Sequence, residues 1–554
     1  MLARFKQLNT ASKSVYGAAF LLATFTLISQ LTGLIRDRLL AYSFGAGNEL
    51  DIYYASFRIP DFILTLVGSI VAVSVIVPFI ASYVGKDKEL RNALGTLFSV
   101  FLMIISAVSV VVYYYMGEVT VWLFPGFNST NIESTISLSR ILLLSPILLG
   151  ISNFLGAIAQ AKNYFLAYAI SPILYNCGIV IGILFLVPRY GLPGLAWGVI
   201  IGAFMHLLVQ TPYLIKERLL PWPRIPRGRQ MILKVFSISA LRTCALSMNH
   251  ISTLVLIGFA STIATGAIAV FNLSTNLQSV LVSVFGSSVS LAAFPILSSM
   301  HQEGRKKDFE QHVSNAILHV LFWVVPAFVF LVILRAHIVR VVLGAGMFSW
   351  TDTRLTSASL ALLALSAVFQ CVGLVLTRAF YSMGKTTLPL LANLSSLIVS
   401  VLSAIVLLGL DKTGKLFSFY AVLRIEDISS ASIVLLSLAY SLGAIVSSVV
   451  LVALYVRNYT LLSHVGTSLF EVSVSAITGG VVTYVCLNIM GDVVGLESLW
   501  KVFIQGFVAG IAGIVTSASL LSLVKNSEYI TLMSSLEKRV WRKASPVYPD
   551  AEVV

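Results

Sequence analysis

Charge is the scarcest property of this sequence: Asp, Glu, Lys and Arg together make up 11% of its 554 residues. A soluble chain carries roughly a quarter, so composition excludes a water-soluble globular enzyme. Cysteine is nearly as scarce. The four present, Cys177, Cys244, Cys371 and Cys486, are scattered through apolar runs with no CxxC pair and no Cys/His ligand spacing. That pattern excludes a disulfide framework or a zinc site and leaves four small core residues. Acidic residues number 23 against 37 basic ones, for a formal charge of +14. The basic residues lie in short loops and the C-terminal tail, which is the positive-inside pattern of a membrane protein rather than a nucleic-acid surface. No hydrolase or kinase signature is present. Gly384-Lys385-Thr386 resembles the end of a phosphate-binding loop, but Ala379 stands at the required earlier glycine, and the segment opens an apolar run instead of following a strand. No catalytic residue, metal site or cofactor is expected, and a coupling ion of unspecified identity is left open.

What the chain has in abundance is apolar length. Hydrophobic residues make up 58%, in runs of about twenty that are each long enough to cross a ~30 Å hydrocarbon core. The expected fold is an all-α polytopic membrane protein with about fourteen transmembrane helices. The spans are placed at 15–40, 51–83, 91–115, 132–160, 164–187, 194–215, 235–261, 266–299, 312–335, 355–382, 387–409, 429–456, 470–490 and 499–524. The first run, 15–35, lacks a small-residue cleavage site and reads as a retained span. Basic clusters follow spans 2, 6 and 8 and recur in the tail, so both termini are predicted to be cytoplasmic.

The chain also repeats itself. VPFIASY at 77–83 returns as FPILSSM at 294–300, LFPGF at 123–127 as VLGAGMF at 342–348, and AIAQAKNYFLAY at 157–168 as RAFYSMGKTTLP at 378–389. Their shared order at a nearly constant offset predicts two pseudo-symmetric six-helix lobes of parallel sense, with two extra C-terminal helices. The lobes would be 1–216 and 235–457, joined by a basic cytoplasmic linker at 217–234 and followed by spans 13 and 14 within 458–524 and a cytoplasmic tail at 525–554. Duplicated bundles of this kind hold substrate between their halves and rock about it. Transport is therefore the leading class of function.

Charges that do sit inside spans are expensive and normally face a cavity or a partner. The richest stretch runs from Ser29 through Arg36, Asp37, Arg38, the Gly45-Ala46-Gly47 turn, Asp51 and Arg58 to Pro60 and Asp61. Arg38 either lines a cavity or marks the end of the first span. Arg242 in span 7 either lines the cavity or snorkels to the interface, and His250 is either a helix-packing group or a proton relay. Pro60, Pro78, Pro172, Pro295 and Pro389 mark kinks where gating helices bend, and Asn176 lies one turn after Pro172, suited to satisfying freed backbone groups. Gly506, Gly510 and Gly513 give the last span a smooth face for close helix approach. The long charged loop at 411–428 has no role legible in its residues.

The residues RDRLLAYSFGAGNELDIYYASFRIPDF, then PGF at 125–127, Pro172 with Asn176, and RAFYSMGKTTLP occur in an order that resembles the MurJ/MviN lipid II flippase family of the multidrug/oligosaccharidyl-lipid/polysaccharide exporter superfamily. The resemblance implies a non-enzymatic, multi-pass protein of the bacterial cytoplasmic membrane that works as a monomer. It would move undecaprenyl-pyrophosphate-linked peptidoglycan precursor to the outer leaflet by alternating access, for cell-wall synthesis. Its partners would be lipid II and membrane lipids, with the lipid tail along spans 13 and 14. Ser29, Arg36, Asp37, Asp51, Arg58 and Pro60 match the family pattern, and the first five, with Arg242 and Asn276, are expected to bind substrate. Gln30, Leu64 and the Thr275-Asn276 pair depart from it, standing where the family carries cavity arginines. Arg36, Arg58 and Arg242 are expected to supply the missing cationic groups, with Asn276 in the substrate cleft and Gly45, Gly47, Pro60, Pro172 and Pro295 as gating or kink positions. The departures also leave room for an exporter of another lipid-linked oligosaccharide, a drug-type antiporter, or a non-transporting cell-wall scaffold.

Overall fold

The computed structural model describes residues 15–69, 76, 79–80, 83, 85–162, 164–224, 229–461, 464–494 and 498–541. Among these there is no strand. Fourteen long helices follow one another: α1 Val15–Phe44, α2 Asn48–Gly68, α3 Asp87–Tyr114, α4 Ser129–Ala161, α5 Phe165–Tyr190, α6 Leu192–Lys216, α7 Arg229–Ser261, α8 Ala267–Gln302, α9 Lys306–Ile333, α10 Trp350–Ser382, α11 Thr387–Asp411, α12 Ile433–Val456, α13 His464–Val494 and α14 Leu499–Leu523. Among the described residues, twelve helices are long and apolar enough to cross a membrane. They correspond to the expected spans except the first two. Those two are helical as well, and they carry the charged stretch. Pro78 lies outside the described residues.

The repeat is visible in local geometry. A short helix, Met116–Leu123, follows α3, and its counterpart Arg335–Val342 follows α9. The next helix in each half opens on a side-chain cap: Asn128 accepts from the Asn131 N–H on α4, and Ser349 from the Asp352 N–H on α10. Each cap satisfies a donor that the first helical turn would otherwise leave bare. Ser56 on α2 donates to the carbonyl of Thr135 on α4, and Ser274 on α8 donates to that of Thr356 on α10. The same contacts recur in the same order, so the two halves are copies in three dimensions.

Core packing shows how the halves meet. At the end carrying the α1–α2 turn, one apolar cluster runs across both: Leu40, Leu50 and Phe124 pack with Ile257, Phe271 and Val339. Toward the other end the core divides. One cluster joins Ile63, Leu94, Phe154 and Leu214 within the first half, and another joins Leu297, Ile317, Leu376 and Tyr455 within the second. The two lobes thus share one core at the end carrying the α1–α2 turn and keep largely separate cores at the other, apart from Val235 of α7, which joins the first lobe's cluster. α13 and α14 attach to the second lobe, where Val472, Ala476 and Leu521 join its core. The glycine face of α14 works as expected: a side chain at Gly513 would collide with Thr483 and Gly479 of α13, and one at Gly506 would press on His337.

The prolines lie inside helices: Pro60 in α2, Pro172 in α5 and Pro295 in α8. α5 and α8 also contain π-helical turns, at Gly182–Leu186 and Val282–Ser287, the kind of local irregularity at which long helices bend.

Candidate substrate cleft and its gate

α2 presents one polar face to the second lobe. Asp51, Arg58, Thr65 and Ser69 are spaced seven, seven and four apart, which places them along a single stripe of the helix. Each meets a partner across the lobe boundary. Asp51 accepts from the N–H groups of Gly266 (2.6 Å) and Ala269 (2.7 Å). The Arg58 guanidinium donates to the side-chain oxygen of Asn272. Thr65 pairs with His250 at 3.0 Å and Ser69 with Thr243 at 2.6 Å. His250 is therefore a hydrogen-bonded packing residue between lobes.

α1 adds a second line. The Nε and Nη2 of Arg36 donate to Asp37 Oδ1 at 2.9 and 2.7 Å, and its Nη1 donates to Asn176 Oδ1 at 2.9 Å. Asp37 Oδ2 accepts from Asn276 Nδ2 at 3.0 Å. The chain Asn176–Arg36–Asp37–Asn276 thus joins α5, α1 and α8 and crosses from one lobe to the other. Asp37 is buried, whereas the Arg36 side chain keeps 21% exposure. Of the five guanidinium N–H donors, three serve these bonds, and the fixed plane leaves two for an incoming acceptor. Arg58 Nε and the Tyr54 hydroxyl are buried with no hydrogen-bond partner among the described residues. Buried polar groups are nearly always paired, so both donors have capacity for a further acceptor.

Asn176 differs from its sequence expectation. Its amide turns away from the backbone freed by Pro172 and reaches α1, donating to the Ser29 carbonyl at 3.3 Å and to Thr32 at 3.4 Å. Ser29 enters the site through that carbonyl. Arg38 lies apart from the cluster, with its Nη1 donating to the carbonyls of Val341 (2.5 Å) and Val342 (3.1 Å) at the end of a helix in the other lobe. A cation at that position complements the negative end of the helix. Arg242 lies on α7 with its side chain outside the described residues. The sequence reading missed Asn272, although its spacing of four from Asn276 puts both amides on one face of α8.

Glycine builds the contact between the lobes at the α1–α2 turn. Gly45 has φ +59°, and a side chain there would fall 2.7 Å from the Met347 carbonyl oxygen. Gly346, at φ +61°, packs against the Tyr42 backbone, and the Met347 N–H donates to the Tyr42 carbonyl at 3.0 Å. The pseudo-symmetric counterpart is Gly126, which packs on the backbone of Ser261 and Thr262 and donates its N–H to the Ser261 hydroxyl at 3.3 Å. Each lobe thus lays a glycine loop on the end of the other lobe's first helix. Gly47 is the residue before α2, in extended conformation. Asp51 completes the seal, for its two oxygens cap the N-terminus of α8, and Gly266 at φ +87° lies against the Ala46 carbonyl. Among the described residues no group of three or more His, Cys, Asp or Glu side chains is arranged to hold a metal ion.

Comparison with known proteins agrees with this architecture. Residues 40–504 match the family model described as lipid II flippase MurJ. A Bdellovibrio bacteriovorus protein described as "Probable lipid II flippase MurJ" is 28% identical over 405 residues, covering 72% of this chain and 77% of that one. The Burkholderia cenocepacia "Lipid II flippase MurJ" is 22% identical over 403 residues, covering 70% and 78%. Among solved structures, a lipid II flippase MurJ in an inward closed conformation superposes with a TM-score of 0.73 at 21% identity, over 91% of this chain and 99% of that one. An inward-facing multidrug resistance transporter of the MOP superfamily follows at 0.62 and 14% identity, over 81% and 98%. Duplicated lobes joined by a line of polar side chains and by glycine contacts stand in a chain whose family match spans most of its length: it belongs to the lipid II flippase MurJ family.

Proposed function

We propose that this chain flips lipid II, moving the undecaprenyl-pyrophosphate-linked peptidoglycan precursor from the inner to the outer leaflet of the cytoplasmic membrane by alternating access. The observation that carries the reading is the Arg36 guanidinium, fixed between the lobes with two N–H groups to spare and with the orphan donors Arg58 Nε and Tyr54 OH on the neighbouring helix. Such forks bind phosphate and carboxylate oxygens bidentately. Ser29, Asp37, Asn276 and, from α7, Arg242 complete the proposed substrate-facing set.

In this reading both termini are cytoplasmic, so the proposed gate of Gly45, Gly47 and Asp51 seals the outer side, and the lobes part on the inner side to admit cargo. Loading neutralises the guanidinium charge that Asp37 now shares. As the lobes rock, bending at Pro60, Pro172 and Pro295, the Asp51 cap and the glycine contacts break and release the cargo outward. The chain performs no covalent step and works as a monomer. The driving ion, if one is used, stands outside the residues named.

The test is competitive binding of purified protein to lipid II and to a lipid-pyrophosphate carrying an unrelated oligosaccharide. Preference for lipid II, weakened about tenfold or more in Arg36→Ala, supports the reading; the loss of one charge-assisted hydrogen bond, ~1.5–3 kcal/mol, corresponds to at least that factor. Equal affinity for both lipids would favour an exporter of another lipid-linked sugar, for which the departures at Gln30, Leu64 and Asn276 are the sequence support.

A further inference from the structure

At the end where the lobes share one core, an open groove of about 980 Å³ lies outside the cleft, between the short helix Met116–Leu123 with the loop after it and the last turns of α7 and α11. Its walls are apolar, with Leu254, Val255 and Phe259 from α7 and Ile405 and Leu408 from α11. Its polar lining comes from the helix ends and the loop before α12: Thr262, Asp411, Lys412, Ser429 and Ser432. Asp411 is the last residue of α11, where the negative end of the helix disfavours a carboxylate. The hydroxyls of Tyr420 and Ser432 donate to it at 2.6 Å, one on each oxygen, which fixes the carboxylate and leaves acceptor capacity on both. Lys412 is exposed and forms no ion pair among the described residues, with Asp411 or with any other acid. Two opposite charges thus stand side by side without neutralising each other. Tyr114, Tyr115 and Trp122 are exposed at this same end. Aromatic side chains of this kind gather at the level of the lipid head groups, so the charged end of the groove lies at that level and its apolar walls run into the hydrocarbon.

We propose that this groove seats a membrane phospholipid whose head carries both a phosphate and a primary ammonium, as phosphatidylethanolamine does. The phosphate meets Lys412, the ammonium meets Asp411, and an acyl chain follows the apolar walls. A head with a phosphate alone would satisfy Lys412 and leave Asp411 facing a like charge, which is why the zwitterion is the complement. The volume is at the upper end of the ~300–1,000 Å³ typical of small-molecule sites. The groove also crosses the lobe boundary: Leu123 and Pro125 belong to the first lobe, and α7 and α11 to the second. The two come so close here that a side chain at Gly258 would fall 2.8 Å from the Leu123 carbonyl oxygen. A seated lipid would therefore touch both lobes where they are joined. The inference depends on the groove and its charges, not on the identity of the cargo.

The experiment is native mass spectrometry of the full-length protein, delipidated in detergent and supplied with phosphatidylethanolamine or phosphatidylglycerol of matched chains. Phosphatidylethanolamine is expected to be retained about fivefold more than phosphatidylglycerol, the factor that one partly exposed charge pair supplies. Asp411→Asn should erase that preference, and Lys412→Gln should weaken retention of both lipids several-fold. Gly409→Trp should remove the retained lipid: a Cβ at Gly409 meets nothing within 4 Å, so the new side chain fills the groove without disturbing the core. No retained lipid in the parent protein, equal or greater retention of phosphatidylglycerol, or unchanged retention in a folded Gly409→Trp protein would overturn the inference. Because the measurement contains no transport step and no lipid II, its failure in a chain that flips lipid II would leave the proposed function standing.

Discussion

Replacing Asp51 by alanine should open the gate. The carboxylate accepts from two backbone N–H groups, at 2.6 and 2.7 Å, that begin α8 in the other lobe. Losing an N-cap costs about 0.5–2 kcal/mol, and the negative charge at the positive end of the helix adds about 0.3–1 kcal/mol. These contacts exist only while the lobes are joined at this end, so the cost falls on the closed state. A penalty of about 2 kcal/mol multiplies the open population by roughly thirty, since each 1.4 kcal/mol is tenfold. Leu50, fully buried beside the cap, reports the opening: in a cysteine-free background, Leu50→Cys should react with a membrane-impermeant maleimide only when the gate parts. The account predicts labelling about tenfold to thirtyfold faster in Asp51→Ala than in the parent and an intermediate rate in Asp51→Asn, which keeps one acceptor. An unchanged rate in a folded, membrane-inserted Asp51→Ala protein would refute the capping argument.

The glycine contacts predict matched effects. Gly126→Ala and Gly346→Ala should each raise the same labelling rate, because a methyl group at either site meets the opposite lobe's backbone, and at Gly346 the positive φ adds strain of about 1–2 kcal/mol. Arg36→Lys should lose most transport in a flux assay with normal insertion, since an ammonium does not reproduce the planar fork to Asp37 and Asn176. Arg242→Ala should lower transport if that residue supplies a missing cation; unchanged flux would remove it from the substrate set. Arg354 of α10 donates to Asp427, in the loop before α12, at 2.6 and 2.8 Å, which holds the Asp427 carboxyl below the usual carboxylate range. The ordering contributed by that pair is present above about pH 4, the ordinary Asp value, and is lost as pH falls through the lowered value. Protection of the 424–428 amides, measured relative to their intrinsic exchange rates at each pH, should therefore fall only in acid and should lose this dependence in Asp427→Asn.

The helices and the duplication were legible because both are written in local sequence: apolar length gives the spans, and the three motif pairs foreshadow paired elements such as Met116–Leu123 and Arg335–Val342. Arg36 and Asp37 were legible as a site because charge inside an apolar run is costly and conspicuous. The capping role of Asp51 was not. Its donors lie more than two hundred residues away in the other lobe, and no local pattern distinguishes a helix cap in trans from a ligand-facing acid. Asn176 shows the same limit: its position after Pro172 suggested a partner in its own helix, whereas tertiary packing turned it toward Arg36. The loop at 411–428, opaque in sequence, contains a short helix at Phe417–Leu423, and Tyr420 and Ser432 both donate to Asp411 at 2.6 Å. These bonds tie the short helix and the start of α12 to the end of α11.

The central claim is tested most directly in a bacterium depleted of its own lipid II flippase and supplied with this chain, scored by lipid II reaching the outer leaflet. The account predicts that growth and outer-leaflet lipid II are restored, and that Arg36→Ala abolishes both at equal membrane abundance. A well-expressed, inserted protein that leaves lipid II on the inner leaflet would contradict it.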